Sequence, residues 1–290
     1  MRDVLLTALA PTIWGTTYFV TTQFLPTNRP LLVGLIRALP VGLLLMVLSR
    51  RLPSGVWWGR SFVLGTLNIG LFFGLLFIAA YRLPGGVVAT LMAIQPLQVA
   101  LLGWAILAEH PGFYTFIAAG LGLLGVGLIV LGPTARFDMI GVIAGIAATL
   151  AMASGTVLTK RWGRSAPLFV FASWQLVAGG LVLLPFALAI EGSPPTLTTK
   201  NLLGFAWLGI IGTGIAYALW FRGIGKLKVS TVAFLGLLSP ISAMLIDFLI
   251  LKKTLTLMQI GGAVFVFGSI LISQFDVKSA HERIRLNHQS

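Results

Sequence analysis

The sequence contains no cysteine and only three histidines, and these absences exclude several kinds of chemistry. Without cysteine the chain has no disulfide, no thiolate nucleophile and no cysteine-ligated metal. His110, His281 and His288 lie in a loop or in the polar tail, where they do not form a paired-ligand motif. We therefore expect neither a cofactor nor a metal site.

Charged residues are also scarce, because only 9% of the chain is Asp, Glu, Lys or Arg while 57% is hydrophobic. A mean hydropathy of +0.98 leaves too little polar material to cover a water-soluble globule of this length. The net charge of +13 would suggest nucleic acid in a soluble protein, but no basic run is interleaved with stacking aromatics. The composition therefore predicts a polytopic membrane protein whose partner is the lipid bilayer, with no nucleic-acid partner.

Two other classes of membrane protein lack their usual signatures. An enzyme acting on lipid would need a cluster of His, Cys or paired carboxylates, and the spans contain none. A channel would show a repeated ring of charges or a carbonyl filter motif, which is also missing. We therefore expect a transporter and not an enzyme, with the membrane-embedded enzyme kept as the alternative from another class.

Long apolar runs are abundant and predict an all-α integral membrane fold. A membrane-crossing helix needs about 20 mostly apolar residues. Charge clusters and Pro/Gly turns divide the chain into ten stretches of that kind. The predicted spans are 4–25, 30–49, 61–81, 85–107, 113–131, 139–159, 167–190, 201–221, 229–251 and 257–274.

Lys and Arg are distributed unequally between the two sets of alternate connections. They concentrate at 50–60, 160–164, 222–228 and in the tail after residue 275. By the positive-inside rule these connections face the cytoplasm, which predicts that both termini are cytoplasmic. No pattern for a cleaved secretory leader precedes the first span, so we expect that span to remain in the mature protein.

The chain repeats itself weakly when it is shifted by about 140 residues. Residues 30–48 then align with 167–185, and residues 89–103 align with 233–247. Each half holds five predicted spans, and because five is odd the second half enters the membrane from the opposite side, as an inverted repeat. The predicted organisation is a first five-helix repeat at 1–134, a second at 135–275 and a polar cytoplasmic tail at 276–290.

The repeat aligns Pro96 with Pro240, each about halfway along a predicted span. Each proline removes its own N–H donor and crowds the carbonyl four residues back, at Met92 and Gly236. Matching interruptions in inverted halves indicate a substrate site at the bilayer midplane with alternating access. The alternative is that both prolines only bend their helices for packing. Polar neighbours favour the first interpretation; they are Gln95, Gln98, Ser239 and Ser242.

These features together resemble a known family. They are Arg37 inside the second span, AAYRLPGGVVATLMAIQPLQVALLGWAILAEHP at 79–111, and its echo YALWFRGIGKLKVSTVAFLGLLSPISAMLIDFLILKK at 217–253. The pattern resembles two EamA domains of the drug/metabolite transporter superfamily over nearly all of 4–274, and is most similar to bacterial aromatic amino-acid exporters. The second half departs from the first, with Trp174 in place of Arg37 and Lys253 in place of Glu109.

The resemblance implies a bacterial inner-membrane transporter that exports small metabolites by alternating access around a central cavity. Aromatic or apolar amino acids are the expected cargo. Phosphorylated cargo would need several basic groups in the cavity, and only Arg37 is charged in mid-span. An exporter of drugs or lipophilic cations is the alternative within transport. We expect a monomer, with an oligomer left open.

Polar and aromatic side chains at membrane depth are the candidate site, because each needs a protein, water or ligand partner there. For both candidate tryptophans, substrate contact and core packing stay equally open. Arg37 is assigned to gating or structure, with substrate selection as the alternative. The candidate substrate-binding residues are Trp14, Tyr18, Asn68, Gln95, Gln98, Trp174, Gln175, Tyr217 and Ser239; the candidate kink and gating residues are Pro96, Pro240 and Arg37.

Overall fold

The protein's computed structural model describes residues 2–26, 29–83, 85–130, 138–252 and 254–273. Within these ranges the backbone forms helices joined by short connections, and it forms no strand. The predicted polar tail at 276–290 lies outside the described residues. Two short helical segments widen to the π form, in which each N–H bonds to the carbonyl five residues back. We label these two segments π1 and π2.

The first half contributes seven α-helices and π1 to the bundle. They are α1 (Arg2–Phe24), α2 (Pro30–Ser49), α3 (Trp57–Gly65), π1 (Thr66–Leu71), α4 (Phe72–Arg82), α5 (Gly85–Met92), α6 (Gln95–Leu107) and α7 (Phe113–Val130). The second half repeats this order. Its helices are α8 (Met139–Trp162), α9 (Leu168–Glu191), α10 (Thr199–Ala206), π2 (Trp207–Ile215), α11 (Ala216–Lys226), α12 (Val229–Leu235), α13 (Leu238–Leu249) and α14 (Leu257–Ser273).

Lengths and composition confirm the predicted all-helical membrane fold. Eight helical stretches of the described chain are long and apolar enough to cross a membrane, and α7 and α14 are shorter apolar helices. Large apolar side chains such as Leu124, Phe186 and Leu257 are exposed on the outside of the bundle. A hydrocarbon environment suits these side chains, because burying them in lipid removes them from water.

Packing between the halves follows the repeat. Helix α2 packs extensively along α9, its counterpart in the second half, and α7 packs in the same way along α14. Helix α1 contacts α11 and π2, just as α8 contacts α4 and π1. These elements therefore meet the other half through equivalent surfaces, so the two halves form one bundle.

Helix α2, which carries Arg37, begins against the end of α9. The Glu191 carboxylate accepts the N–H groups of Leu31 at 2.7 Å and Leu32 at 2.8 Å. The first N–H groups of a helix have no partner inside that helix, and a carboxylate there also interacts favourably with the helix dipole. The residue that precedes α2, Arg29, provides no side-chain cap of its own. Glu191 therefore joins α2 to α9.

We expect Glu191→Ala to lower the free energy of unfolding by about 1–2 kcal/mol, the usual effect of losing an N-terminal cap. Glu109→Ala is the matched control, because the Glu109 carboxylate makes a longer contact of 3.4 Å with the Val229 N–H. Thermal unfolding of both variants in neutral detergent compares them. A larger loss for the Glu109 variant would contradict the assignment of Glu191 as the cap of α2.

The two segments with aligned prolines are interrupted at equivalent places. Helix α5 ends at Met92 and α6 begins at Gln95, while α12 ends at Leu235 and α13 begins at Leu238. The intervening residues form tight turns, in which the Leu237 N–H bonds to the Phe234 carbonyl at 3.1 Å. The carbonyl of Gly236, which the proline was expected to crowd, accepts the Ser239 N–H at 3.1 Å.

Proline alone does not explain these interruptions. Pro11, Pro40 and Pro185 all lie inside helices that continue past them. In lipid, backbone groups freed by a break must find partners in the protein or in a wet cavity. The breaks before Pro96 and Pro240 therefore depend on tertiary surroundings as well as on the proline ring.

The π segments also occupy equivalent positions in the two halves, and the sequence did not predict them. Both follow a short helix and lead into the second part of an otherwise continuous segment. π1 contains one glycine, Gly70, whereas π2 contains three, Gly209, Gly212 and Gly214. Wider turns of this kind often occur at functional sites, because they change which side chains and carbonyls face a given direction.

Candidate functional site

Trp14 of α1 contacts two aromatic rings of α11. The ring centroid of Trp14 lies 5.2 Å from that of Tyr217 and 5.1 Å from that of Trp220, and both pairs of rings are tilted. Tyr217 and Trp220 are three residues apart and thus share a helix face, and each is 2% exposed. We call Trp14, Tyr217 and Trp220 the aromatic cluster.

The carbonyl of Gly212 in π2 connects the aromatic cluster to Arg37. The Trp14 indole N–H donates to this carbonyl at 3.0 Å, and Nη2 of Arg37 approaches the same oxygen at 3.4 Å. Nε of Arg37 donates to the Thr213 hydroxyl at 3.1 Å. The candidate residues Trp14, Tyr217 and Arg37 therefore meet around one turn of π2.

Gly212 and Gly15 differ in what a side chain at each position would meet. Among the described residues, a Cβ atom placed on Gly212 would meet Leu208 and Trp207 of the same helix, at distances of 3.7 and 3.8 Å. By contrast, a Cβ atom on Gly15 would lie 2.4 Å from the side chain of Ser242. The glycine in α1 thus permits a tight helix contact, whereas no other helix of the described chain comes as close to Gly212.

Arg37 is a buried cation with neutral partners. It is 7% exposed, and its guanidinium carbon lies 5.0 Å from the ring centroid of Phe73. The ion pairs among the described residues are Arg82 with Asp138 and Arg222 with Asp3, so neither involves Arg37. A guanidinium carries five N–H donors in a geometry that suits a carboxylate. The electrostatics of this site therefore favour an anionic group.

Asn68 and Gln175, two further candidates, bond to one another. Nδ2 of Asn68 donates to Oε1 of Gln175 at 2.9 Å and approaches the Thr159 hydroxyl at 3.5 Å. Asn68 is 1% exposed and Gln175 is fully buried. The side chain of Asn68 also fills the space beside Gly155, where a Cβ atom would lie 2.2 Å from Oδ1. These amides form an interhelical contact separate from the aromatic cluster.

We expect Asn68→Ala and Gln175→Ala each to destabilise the protein, and the double variant to lose less than the sum. The coupling between them should be about 0.6 kcal/mol, the typical size of a hydrogen bond between membrane helices. Unfolding of the single and double variants in mixed micelles gives this coupling. Strict additivity would contradict a direct bond between the two amides.

Other candidates lie apart from the aromatic cluster. The Trp174 indole N–H donates to the Arg51 carbonyl at 2.9 Å, and its ring is buried in the core along α9. Nε2 of Gln98 approaches the Ile146 carbonyl of α8 at 3.5 Å. The Oε1 atom of Gln98 is buried without a hydrogen-bond partner among the described residues.

The remaining candidates contribute less to the site. Ser239 borders the tight contact between α1 and α13, where its carbonyl would lie 2.7 Å from a Cβ on Gly15. Gln95 is partly buried at the start of α6. The side chain of Tyr18 lies outside the described part of the chain. Pro96 and Pro240 border the two helix breaks.

Three residues of the site were missing from the candidates: Phe73, Thr213 and Trp220. Trp220 and Thr213 lie on the same glycine-rich stripe of the eighth predicted span as Tyr217, so periodicity was the available signal. Phe73 gave no signal, because a phenylalanine in an apolar span is ordinary core or lipid-facing material.

The two halves each match a known family, and so does the chain as a whole. The sequence model of the EamA-like transporter family matches residues 1–131 and 139–275. Protein PecM of Dickeya dadantii is 47% identical over 91% of this chain and 90% of its own length. A probable amino-acid metabolite efflux pump of Salmonella typhimurium is 25% identical over 94% of this chain and 95% of its own.

A solved crystal structure has the same fold. It covers 96% of this chain and 98% of its own with a TM-score of 0.82, at 18% sequence identity, which supports the fold alone. The family match spans both five-segment halves of the bundle, and the similarity to PecM extends over nearly the whole chain. This protein is a multi-pass membrane protein that belongs to the EamA-like transporter family.

Proposed function

We propose that this protein exports small metabolites across the inner membrane, with aromatic or apolar amino acids as its cargo. The carrying observation is that Trp14, Tyr217 and Arg37 meet around one turn of π2, and that the partners of this buried cation among the described residues are neutral. An aromatic amino acid offers one carboxylate and one flat ring, and this site offers a partner for each.

The chemistry of the two partners is complementary. The guanidinium of Arg37 binds the carboxylate of the cargo, and this carboxylate supplies the counter-ion that the described residues do not provide for Arg37. The ring of the cargo packs against Trp14 and Tyr217, where offset or edge-to-face contacts between aromatic rings are favourable. The ammonium group of the cargo gains from the electron-rich face of an indole.

Transport proceeds by alternating access between the repeats at 1–134 and 135–275. The half-helices on either side of the breaks before Pro96 and Pro240 change angle, and this opens the central space to one face at a time. Both termini face the cytoplasm in this arrangement, as the distribution of Lys and Arg favours. No acidic residue lies at mid-span in the sequence, so a central carboxylate does not couple transport to protons.

Two observations support this choice of cargo over lipophilic cations. The buried charge next to the aromatic cluster is positive, which opposes a cationic cargo. The Salmonella typhimurium relative is named as a probable amino-acid metabolite efflux pump, and it aligns with 94% of this chain.

Uptake by liposomes that contain the purified protein tests the proposal. Vesicles are loaded with unlabelled amino acid and exposed to radiolabelled phenylalanine, tryptophan, leucine or a lipophilic dication, with and without a pH gradient. We expect saturable exchange of the amino acids without a gradient. Exchange of the dication alone, and only with the gradient, would refute the proposed cargo and favour a drug exporter.

A further inference from the structure

A cavity of about 520 Å³ opens where α8 ends, α9 begins and α11 ends. Its volume falls within the range of small-molecule sites, roughly 300–1,000 Å³. The connections that border it are among those that the positive-inside rule assigns to the cytoplasm. The charged and aromatic residues that line it are Lys160, Arg164, Arg222, Lys226, Phe171 and Phe221. We call this cavity the basic vestibule.

Positive charge in the basic vestibule exceeds what nearby acids balance. No Asp or Glu is among its described lining residues. Asp3 pairs with Nη2 of Arg222 at 2.5 Å, and Nζ of Lys160 donates to the Leu227 carbonyl at 2.8 Å. Arg164 and Lys226 have no ion-pair partner among the described residues. Nη1 of Arg222 is buried without a hydrogen-bond partner in this part of the chain.

The backbone adds to this positive field. Helix α9 begins at Leu168, a lining residue, and Pro167 before it makes no side-chain cap. The first N–H groups of α9 therefore keep their partial positive charge at the vestibule. A ligand with a negative group would contact this helix end and the lysine and arginine side chains together.

The lining aromatic rings connect the basic vestibule to the aromatic cluster. Phe171 and Phe221 pack edge to face with centroids 5.7 Å apart, and both are buried. Phe221 lies 5.7 Å from Tyr217, whose ring contacts Trp14. Contacting rings thus extend from this cavity to the site beside Gly212.

We propose that the basic vestibule is a loading site, which binds the carboxylate of an organic acid while its apolar body rests on Phe171 and Phe221. The identity of the acid rests on the proposed function, in which the cargo is an aromatic or apolar amino acid. The cargo reaches Arg37 when these packed rings separate during transport, so that a cation holds its carboxylate at both stages.

An anionic lipid headgroup shares the same chemistry as a carboxylate, and basic residues near a membrane surface attract such lipids. The lining rings of Phe171 and Phe221 distinguish the two ligands. A headgroup keeps its acyl chains in the bilayer, whereas a free acid brings its own apolar part to the cavity. The experiment therefore compares a soluble acid with a lipid.

Calorimetric titration of the purified protein in neutral detergent tests the loading site with 3-phenylpropionate, which has the carboxylate and ring of phenylalanine but no amine. The matched probe is 2-phenylethylamine, which keeps the amine and lacks the carboxylate. The variant Arg164→Gln/Lys226→Gln removes two of the lining charges. Arg51→Gln is the control, because Arg51 is exposed and lies outside the vestibule.

We expect 3-phenylpropionate to bind more tightly than 2-phenylethylamine, because only the acid has a carboxylate. The double variant should bind at least about fivefold more weakly, as for partly exposed ion pairs, and added salt should weaken binding by the wild type. Arg51→Gln should match the wild type. Equal affinity of the double variant and the wild type would overturn the proposal.

Two further outcomes separate this proposal from its alternatives. The cavity would be a lipid site if the double variant binds less phosphatidylglycerol than the wild type and the wild type does not bind 3-phenylpropionate. That result would overturn the loading site. Charge-dependent binding of 3-phenylpropionate supports the loading site whether or not the liposomes exchange amino acids. If they exchange none, the proposed cargo is refuted but the loading site is not.

Discussion

Arg37→Met is expected to lower the exchange of aromatic amino acids at least about thirtyfold, while the protein still reaches the membrane. Methionine keeps much of the side-chain length but removes the charge and the bond to Thr213. Losing the partner of a buried charge costs about 2 kcal/mol or more, and 1.4 kcal/mol corresponds to a factor of ten. The loss should appear mainly as weaker apparent affinity for cargo that carries a carboxylate.

Competition experiments separate substrate binding from a structural role of Arg37. A compound without a carboxylate, such as 2-phenylethylamine, should compete for exchange in the Met variant as well as it does in the wild type. If Arg37 acts only by holding π2, its substitution will slow exchange of all compounds equally. Arg37→Lys should recover part of the activity, because lysine keeps the charge but not the planar fork of donors.

Arg82→Met is the matched control for this experiment. Arg82 ends α4 and forms an ion pair with Asp138 at 3.4 Å, with side chains 44% and 41% exposed. Ion pairs at such exposed positions contribute little to stability. A comparable loss in the Arg82 variant would show that the effect at Arg37 reflects general loss of positive charge.

Pro96→Ala and Pro240→Ala are expected to slow exchange about tenfold each, with a larger effect when combined. Alanine restores a backbone N–H that can bond to the carbonyl four residues back, so that the helix can close across the break. Removing proline from a helix interior favours the continuous helix by up to about 3 kcal/mol. Such a bias would favour the conformation in which the two half-helices form one continuous helix over the conformation in which they are bent.

Pro40→Ala provides the comparison, because Pro40 is exposed and lies within α2, which continues past it. We expect it to leave exchange unchanged. Binding of cargo should persist in the Pro96 and Pro240 variants, since neither proline belongs to the aromatic cluster. Normal exchange rates in both would mean that these prolines shape packing only, as in the alternative interpretation of the sequence.

Much of the architecture follows from local properties of the chain. Runs of about 20 apolar residues must form helices in lipid, because only internal hydrogen bonds satisfy their backbone groups there. The spans at 30–49 and 113–131 agree with α2 (Pro30–Ser49) and α7 (Phe113–Val130) within a residue. Each of these ends at a charged or glycine-rich connection that the sequence displays directly.

The candidate site was only partly predictable. Trp14, Arg37 and Tyr217 were identified because aromatic and charged groups at membrane depth need partners. Polarity alone did not reveal that Asn68 and Gln175 are partners of each other. The same reasoning treated Lys160 and Arg222 as markers of orientation, although both line a cavity. Pairing depends on the distance between helices, which a single sequence does not contain.

Composition, apolar run length and the shifted repeat are sufficient to specify a helical membrane protein of two similar halves, because these depend on local transfer of side chains and backbone into lipid. The tertiary structure alone decides which prolines interrupt a helix and where the π segments form. It also brings Trp14 and Arg37 to one carbonyl of Gly212. These features depend on contacts between segments far apart in sequence, where packing and hydrogen bonding outweigh local preference.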